Sequence, residues 1–461
     1  MRSKGPWWWN GGRRAMALPA RIMAVARRGT VRPYLATAAA RAMSGKVAGG
    51  HPDRAALLHC KRVVLKVGTA VVSNSDGTLA LSRMGTLVEE IASLKAKGKQ
   101  VMLISSGAVG LGRERVGLSK EVVSNVQNVV ERQACAAAGQ ELLMSTYNMM
   151  FSRLSLNCAQ VLITQNDFSD FDRYSYLSQT LQRLSELGSI PIINENDVVT
   201  GSSQLDPSTA GQVFSDNDTL AALIGASSQA DAVLMMTDVD AVFTKPPGTP
   251  GAERIAVYTD NTEFEEGAKS TMGRGGMGSK IGAARKAAWA GASCVIANGI
   301  NLSNISRVFA GEDIGTLFPP PEVPFEKKDY WMSHMAIPAG RLRVRHEVAQ
   351  DLKQRGGGGL RNPQRGHDAA LDISAIMHAS DGMPTFSDGV DVVEGDFSAG
   401  TVVALHDAMT HKCFGRALTQ QGSDEIRATL RMVGTGSKVT SGSSHVIATG
   451  EGLVIHMEER A

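Results

Sequence analysis

The chain has 461 residues, 43% of them hydrophobic, which is enough for a large core divided between two domains. No uninterrupted apolar run reaches the length of a membrane span. The formal charge of +3 is unevenly spread: residues 1–52 carry ten Lys/Arg and no Asp/Glu, leaving 38 basic against 45 acidic residues, a net −7, for the remainder.

The basic balance therefore belongs to the leader and says nothing about nucleic-acid binding by the folded body. Arginine-rich, alanine-rich and free of acids, residues 1–52 have the composition of an organelle transit peptide and lack the apolar h-region of a secretory signal. Few serines favour a mitochondrial address over a plastid one; a true start at Met16, Met23 or Met43 would instead leave a cytoplasmic protein. The five cysteines are scattered without C-x-x-C spacing, which argues against a disulfide framework and a zinc site.

From Lys61 onward, apolar strands alternate with helical periods. Arg62 to Lys66 reads as a buried strand ending at Gly68-Thr69. Ser82 to Lys97 places Met84, Leu87, Val88, Ile91 and Leu94 on one helical face, and Gly98 stops it. Val101 to Ile104 is the second strand and runs into Ser105-Ser106-Gly107. A long helix is expected over Val126 to Phe151, a strand over Gln160 to Ile163, a helix over Tyr174 to Leu187 and a strand over Ile190 to Ile193. A helix start at Asn217 and strands at Ala232 to Met236 and Cys294 to Ile296 complete the series. Continuous apolar strands between helices define an α/β fold, a mostly parallel sheet sandwiched between helices.

Polar residues gather at the C-terminal ends of these strands: Ser105-Ser106-Gly107, Asn194 to Asp197, Thr237-Asp238 and Asn298. That edge is where open α/β sheets bind ligands. A second signal is Gly273-Arg274-Gly275-Gly276-Met277-Gly278-Ser279-Lys280, opening into a helical run from Ile281 to Gly291. Glycines admit a phosphate close to the backbone, and the orphan N–H groups of a first helical turn point at it. By itself such an octet is equally a surface loop before an ordinary helix. It lacks the G-x-x-x-x-G-K-[ST] spacing, and no G-x-G-x-x-G follows the first strand, so the fold is neither a P-loop nor a Rossmann dehydrogenase.

Taken in order, Lys66-Val67-Gly68-Thr69, Ser105 to Gly110, Asn194 to Asp197, Phe214 to Asp218, Thr237-Asp238 and Gly273 to Lys280 resemble the motifs of the amino-acid kinase family over about residues 60–318. Within it the similarity is greatest to the glutamate 5-kinases and to the kinase half of the pyrroline-5-carboxylate synthases. The resemblance implies transfer of the ATP γ-phosphoryl group to the side-chain carboxylate of L-glutamate, giving glutamyl 5-phosphate for proline synthesis. It implies that Lys66, Thr237, Asp238, Arg274, Gly275, Gly276, Met277, Gly278, Ser279 and Lys280 contact ATP. Ser106, Gly107, Asp197 and Asn217 would bind glutamate, and Asp216 and Asp218 would hold the lysines. Mg²⁺ is expected on the nucleotide phosphates, with no metal ligand assigned to the protein. Proline feedback inhibition and a homo-oligomer are further family implications. Such a transfer between anions needs positive charge and no general base, because a carboxylate is already a nucleophile. Other members of the family act on aspartate, acetylglutamate, carbamate or UMP; Asp197 and Asn217 argue for glutamate.

The expected division is a leader at 1–52, a kinase domain at 58–318, a proline-marked linker at 319–334, a β-rich domain at 335–432 with an inserted loop near 356–369, and a loose tail at 433–461. Ile337 to Leu342, Val392 to Phe397 and Cys413 to Leu418 resemble the PUA barrels appended to bacterial-type glutamate 5-kinases. PUA domains elsewhere bind RNA, which supplies an alternative function. Residues 335–432 hold eleven Lys/Arg against twelve Asp/Glu, however, which favours a structural or regulatory barrel.

Overall fold

Six strands of six residues each form the body of the main sheet: β1 (Arg62–Val67), β2 (Gln100–Ser105), β3 (Cys158–Ile163), β4 (Ile190–Glu195), β5 (Ala232–Thr237) and β6 (Ser293–Asn298). The computed structural model describes residues 54–74, 76–125, 128–200, 216–259, 261–265, 276–356, 371–372, 389–434, 446–448 and 453–455. A short β7 (Thr316–Phe318) is added antiparallel to β6, and the order is β3-β4-β2-β1-β5-β6-β7 with all other pairs parallel. The chain leaves β1 on one flank through β2 and returns on the other at β5. The C-terminal ends around β1 therefore form a crevice at a topological switch point.

Strand residues alternate between two cores, as the two-residue period requires. Val63, Leu65, Val101 and Leu103 pack under the helices Leu81–Ala96 and Val129–Arg153. Val64, Met102 and Ile104 face the helices Phe171–Glu186, Asn217–Ser227 and Met277–Trp289. Lys66 shares parity with Val64, so its side chain falls on the second face. Ahead of β1, the fully buried Arg54 donates to the carbonyls of Ala256, Ile314 and Gly315 at 2.8–3.3 Å and pairs with Asp313.

Two helices depart from the sequence expectation. Ala108–Val116 was not anticipated, because Gly110 and Gly112 weaken its helical pattern. It crosses Val129–Arg153 at backbone contact: a Cβ on Gly112 would lie 1.7 Å from the Cys135 carbonyl oxygen, and one on Gly139 1.8 Å from that of Ala108. The helix expected from Ile281 starts at Met277, one turn earlier, its first turn disguised by glycine.

The C-terminal strands are β8 (Arg341–Val344), β9 (Leu371–Asp372), β10 (Val390–Glu394), β11 (Val402–Asp407), β12 (Cys413–Leu418), β13 (Val446–Ala448) and β14 (Leu453–Ile455). Five of them form a mixed sheet in the order β10-β8-β11-β12-β14, and β13 pairs with β9. Leu342, Val344, Val403, Leu405, Phe414 and Ile426, the last from the helix Ser423–Gly434, fill its core. Two stretches are more ordered than their composition indicates. The segment expected as a linker contains the helix Lys327–His334, whose Trp331 donates to the Phe168 carbonyl at 2.8 Å. Within the stretch expected as a loose tail, the apolar triplet of β14 pairs antiparallel with β12. Residues 1–52, Arg274, Gly275 and 357–369 lie outside the described residues, among which no helix is long and apolar enough to cross a membrane.

Candidate active site

At the C-terminal edge of the main sheet lies a cleft of about 340 Å3. Lys66, Ser106, Gly107, Asp197, Asp216, Asn217, Asp218, Thr237, Asp238 and Lys280 all line it, together with Asn194 and Glu195. Ten of the sequence-predicted residues therefore converge on it, while Arg274 and Gly275 lie outside the described residues. Gly276, Met277, Gly278 and Ser279 form the start of the helix that carries Lys280.

The centre of the cleft is a carboxylate shared by two cations. Asp218 accepts Lys66 Nζ on Oδ1 at 2.7 Å and Lys280 Nζ on Oδ2 at 2.8 Å, and all three side chains are largely buried. Burial pushes the Asp218 carboxyl up, but the two ammonium groups outweigh it and hold the group below its ordinary value. The cluster by itself carries one negative charge against two positive ones, a local excess of one cation among cleft walls that also hold Glu195, Asp197, Asp216 and Asp238.

Asp216 works beside it. Its Oδ1 accepts from the Thr219 backbone N–H at 2.7 Å and so caps the helix Asn217–Ser227, while Oδ2 accepts from the Ser279 hydroxyl. Asp216 and Asp218 thus tie the N-termini of two helices together. Gly276 precedes Met277–Trp289 and has no side chain to cap it, so among the described residues no N-cap side chain occupies the first-turn N–H groups.

On the opposite wall, Gly107 sits at φ +110°, where a Cβ would lie 2.3 Å from Val72 Cγ2. The turn presents Ser106, whose Oγ accepts from Asn217 Nδ2 at 2.8 Å. The same Nδ2 donates to Asn194 Oδ1 at 3.1 Å, and Asn194 Nδ2 donates in turn to Gln140 Oε1 at 3.1 Å. On the β5 side, Thr237 Oγ1 donates to Asp238 Oδ1 at 2.9 Å, and Asp238 is exposed.

Sequence reasoning gave no role to Asn194 beyond its motif and did not single out Gln140. A signal for Gln140 existed: on the helix Val129–Arg153 it occupies the stripe of Ala136, Leu143 and Tyr147, a polar residue on an otherwise buried face.

Residues 61–298 match the amino acid kinase family. The glutamate 5-kinase of Acaryochloris marina is 36% identical over 373 residues, covering 79% of this chain and 90% of that protein. The glutamate 5-kinase of Synechococcus elongatus is 35% identical over 372 residues with the same coverage. The delta-1-pyrroline-5-carboxylate synthase of Mesembryanthemum crystallinum is 42% identical over 274 residues, which are 58% of this chain and 38% of that protein. This chain therefore spans well under half of the plant synthase it matches. It belongs to the amino acid kinase family.

Proposed function

We propose that the cleft transfers the γ-phosphoryl group of ATP to the side-chain carboxylate of L-glutamate, yielding glutamyl 5-phosphate and ADP for proline synthesis. The observation that carries this reading is the Lys66–Asp218–Lys280 cluster, two cations held on one buried carboxylate inside the cleft. In the reaction a carboxylate oxygen bonds to the γ-phosphorus as the bond to the ADP oxygen breaks. Charge spreads over the transferring oxygens, and Lys66 and Lys280 neutralise it without any proton transfer.

In this assignment Thr237, Asp238 and the turn from Arg274 to Lys280 hold the nucleotide, with its phosphates toward the uncapped helix start. Ser106, Gly107, Asp197 and Asn217 hold glutamate. Asp218 positions both lysines, whereas Asp216, expected to share that task, touches neither and instead anchors Ser279, next to Lys280. Both oxygens of Asp216 and Asp218 are engaged by protein groups. Among the described residues no group of three or more His, Cys, Asp or Glu is placed to hold a metal ion. Mg²⁺ is assigned to the nucleotide phosphates, as a hard cation that would enter with ATP.

The C-terminal sheet is assigned as a PUA-like barrel with a structural or regulatory role, and the family implies a homo-oligomer inhibited by proline. The leader is assigned a mitochondrial address. The test is an acceptor panel with MgATP: glutamate, aspartate, acetylglutamate, carbamate and UMP, with and without proline. Turnover confined to glutamate is expected; turnover of another acceptor with none of glutamate would sink the reading.

A further inference from the structure

We propose that Gln140, which does not border the cleft, is a positioning residue that fixes which atoms of Ser106 and Asn217 donate and which accept toward the amino-acid end of the acceptor. The proposal rests on the glutamate kinase reading and adds to it the origin of discrimination for an α-amino acid.

A side-chain amide has a donor end and an acceptor end of nearly equal shape, so its orientation is decided by its neighbours. Gln140 Oε1 takes a hydrogen from Asn194 Nδ2, which turns Asn194 Oδ1 toward Asn217. Asn217 Nδ2 then donates both to Asn194 Oδ1 and to Ser106 Oγ. With both N–H groups used, the atom Asn217 has left for the cleft is its Oδ1, an acceptor. The Ser106 oxygen has accepted, so its own O–H is a donor. A donor beside an acceptor matches a carboxylate beside an ammonium group, the two ends of an α-amino acid. The opposite polarity would aim N–H groups at the ammonium.

The burial of Gln140 supports this role. Its side chain is 8% exposed, yet Nε2 is buried with no hydrogen-bond partner among the described residues. An unsatisfied amide group in a core costs stability, and an apolar residue of similar volume would avoid the cost. The hydrogen bond that Gln140 does make is the one to Asn194.

The experiment uses the full chain as wild type, Gln140→Met and Gln140→Glu, with MgATP and either glutamate or glutarate, which lacks the α-ammonium. Wild-type turnover of glutamate is scored first and tests the activity reading by itself; with it established, the variants speak only to Gln140. Gln140→Met is expected to raise the glutamate KM about five- to tenfold and to reduce the preference for glutamate over glutarate by a similar factor, the loss of about one neutral hydrogen bond. Its kcat and ATP KM should stay within about twofold of wild type. Gln140→Glu keeps an acceptor oxygen for Asn194 and exchanges the unbonded amino group for a carboxyl oxygen, and burial favours the neutral form of that acid. Where the variant folds as wild type it should therefore restore both the KM and the preference. Should Gln140→Met not fold, Gln140→Asn, one methylene too short to reach Asn194, supplies the same comparison. A folded loss variant with wild-type KM and preference overturns the proposal, as does a loss confined to kcat or a failure of Gln140→Glu to restore discrimination.

Discussion

Asp218 receives Lys66 on one carboxylate oxygen and Lys280 on the other, so a single buried anion sets the spacing of two cations from different elements. Asn has the shape of Asp but only one acceptor, and its NH2 would face one of the ammonium groups. Asp218→Asn is therefore expected to lower kcat by about a hundredfold or more, because the cations are no longer fixed where charge develops. It should also destabilise the fold by about 3 kcal/mol, the low end for breaking a buried pair, since both lysines open onto the cleft and can hydrate. Steady-state kinetics and denaturant titration check both effects; a variant with wild-type kcat would remove Asp218 from the mechanism.

The same pairing predicts a pH dependence. The folded carboxyl lies below the ordinary 3.8. The unfolded chain thus binds more protons than the folded one between the two values, and stability rises with pH there. The contribution is complete above the ordinary value and is lost as pH falls through the folded one. Denaturation midpoints of wild type and Asp218→Asn should differ by a constant amount from neutral pH down to about 5, then converge on further acidification. A gap that widens in acid would contradict the assignment.

Lys280 offers a sharper kinetic test. It approaches the cleft from the first turn of Met277–Trp289, and Asp218 holds it next to Lys66. If its charge acts mainly on the transferring oxygens, Lys280→Ala should lower kcat by about 100- to 1,000-fold and leave the glutamate KM within about threefold. A change confined to KM would make it a ground-state binding residue instead.

The strands were legible because burial on both faces writes them as unbroken apolar runs, and the site because its residues fall just beyond those runs. Lys66 and Asp218 were each recognisable, but their distance depends on which face of β1 the lysine takes, a matter of parity and helix order. Ala108–Val116 was hidden for a different reason. Its glycines serve a close helix crossing, and tertiary packing there overrides local propensity. Gln140 went unnoticed because its effect passes through Asn194, and no spacing within the chain reveals a hydrogen bond between a helix and a distant strand.

The helix crossing makes its own prediction. A Cβ on Gly139 would stand 1.8 Å from the Ala108 carbonyl oxygen and 2.4 Å from the Gly112 nitrogen, so Gly139→Ala must push the two helices apart. The expected cost is about 1–3 kcal/mol of stability, the range for overpacking. Because Ala108–Val116 begins directly after the Ser106-Gly107 turn, the shift should also raise the glutamate KM. Thermal unfolding and acceptor titration would report these effects; an unchanged melting temperature would mean that the helices are not in backbone contact.

The last prediction concerns the junction between the two sheets. Arg416, on β12, donates through Nη1 to the carbonyls of Met332 and Ala336 at 2.8 and 2.6 Å, at the C-terminal end of Lys327–His334, where a cation also complements the helix dipole. The same helix bonds the kinase side through Trp331 and Phe168, and the core that contains Val64 and Leu220 continues through Met332 to Val402 and Val454 of the C-terminal sheet. Two sheets joined by one core should unfold together, in a single calorimetric transition. Arg416→Ala strands two carbonyls and removes their charged donor, a loss of about 2 kcal/mol. It should lower the melting temperature of the whole protein while leaving the glutamate and ATP KM values unchanged. Two resolved transitions in the wild-type protein would show that the junction does not couple the sheets.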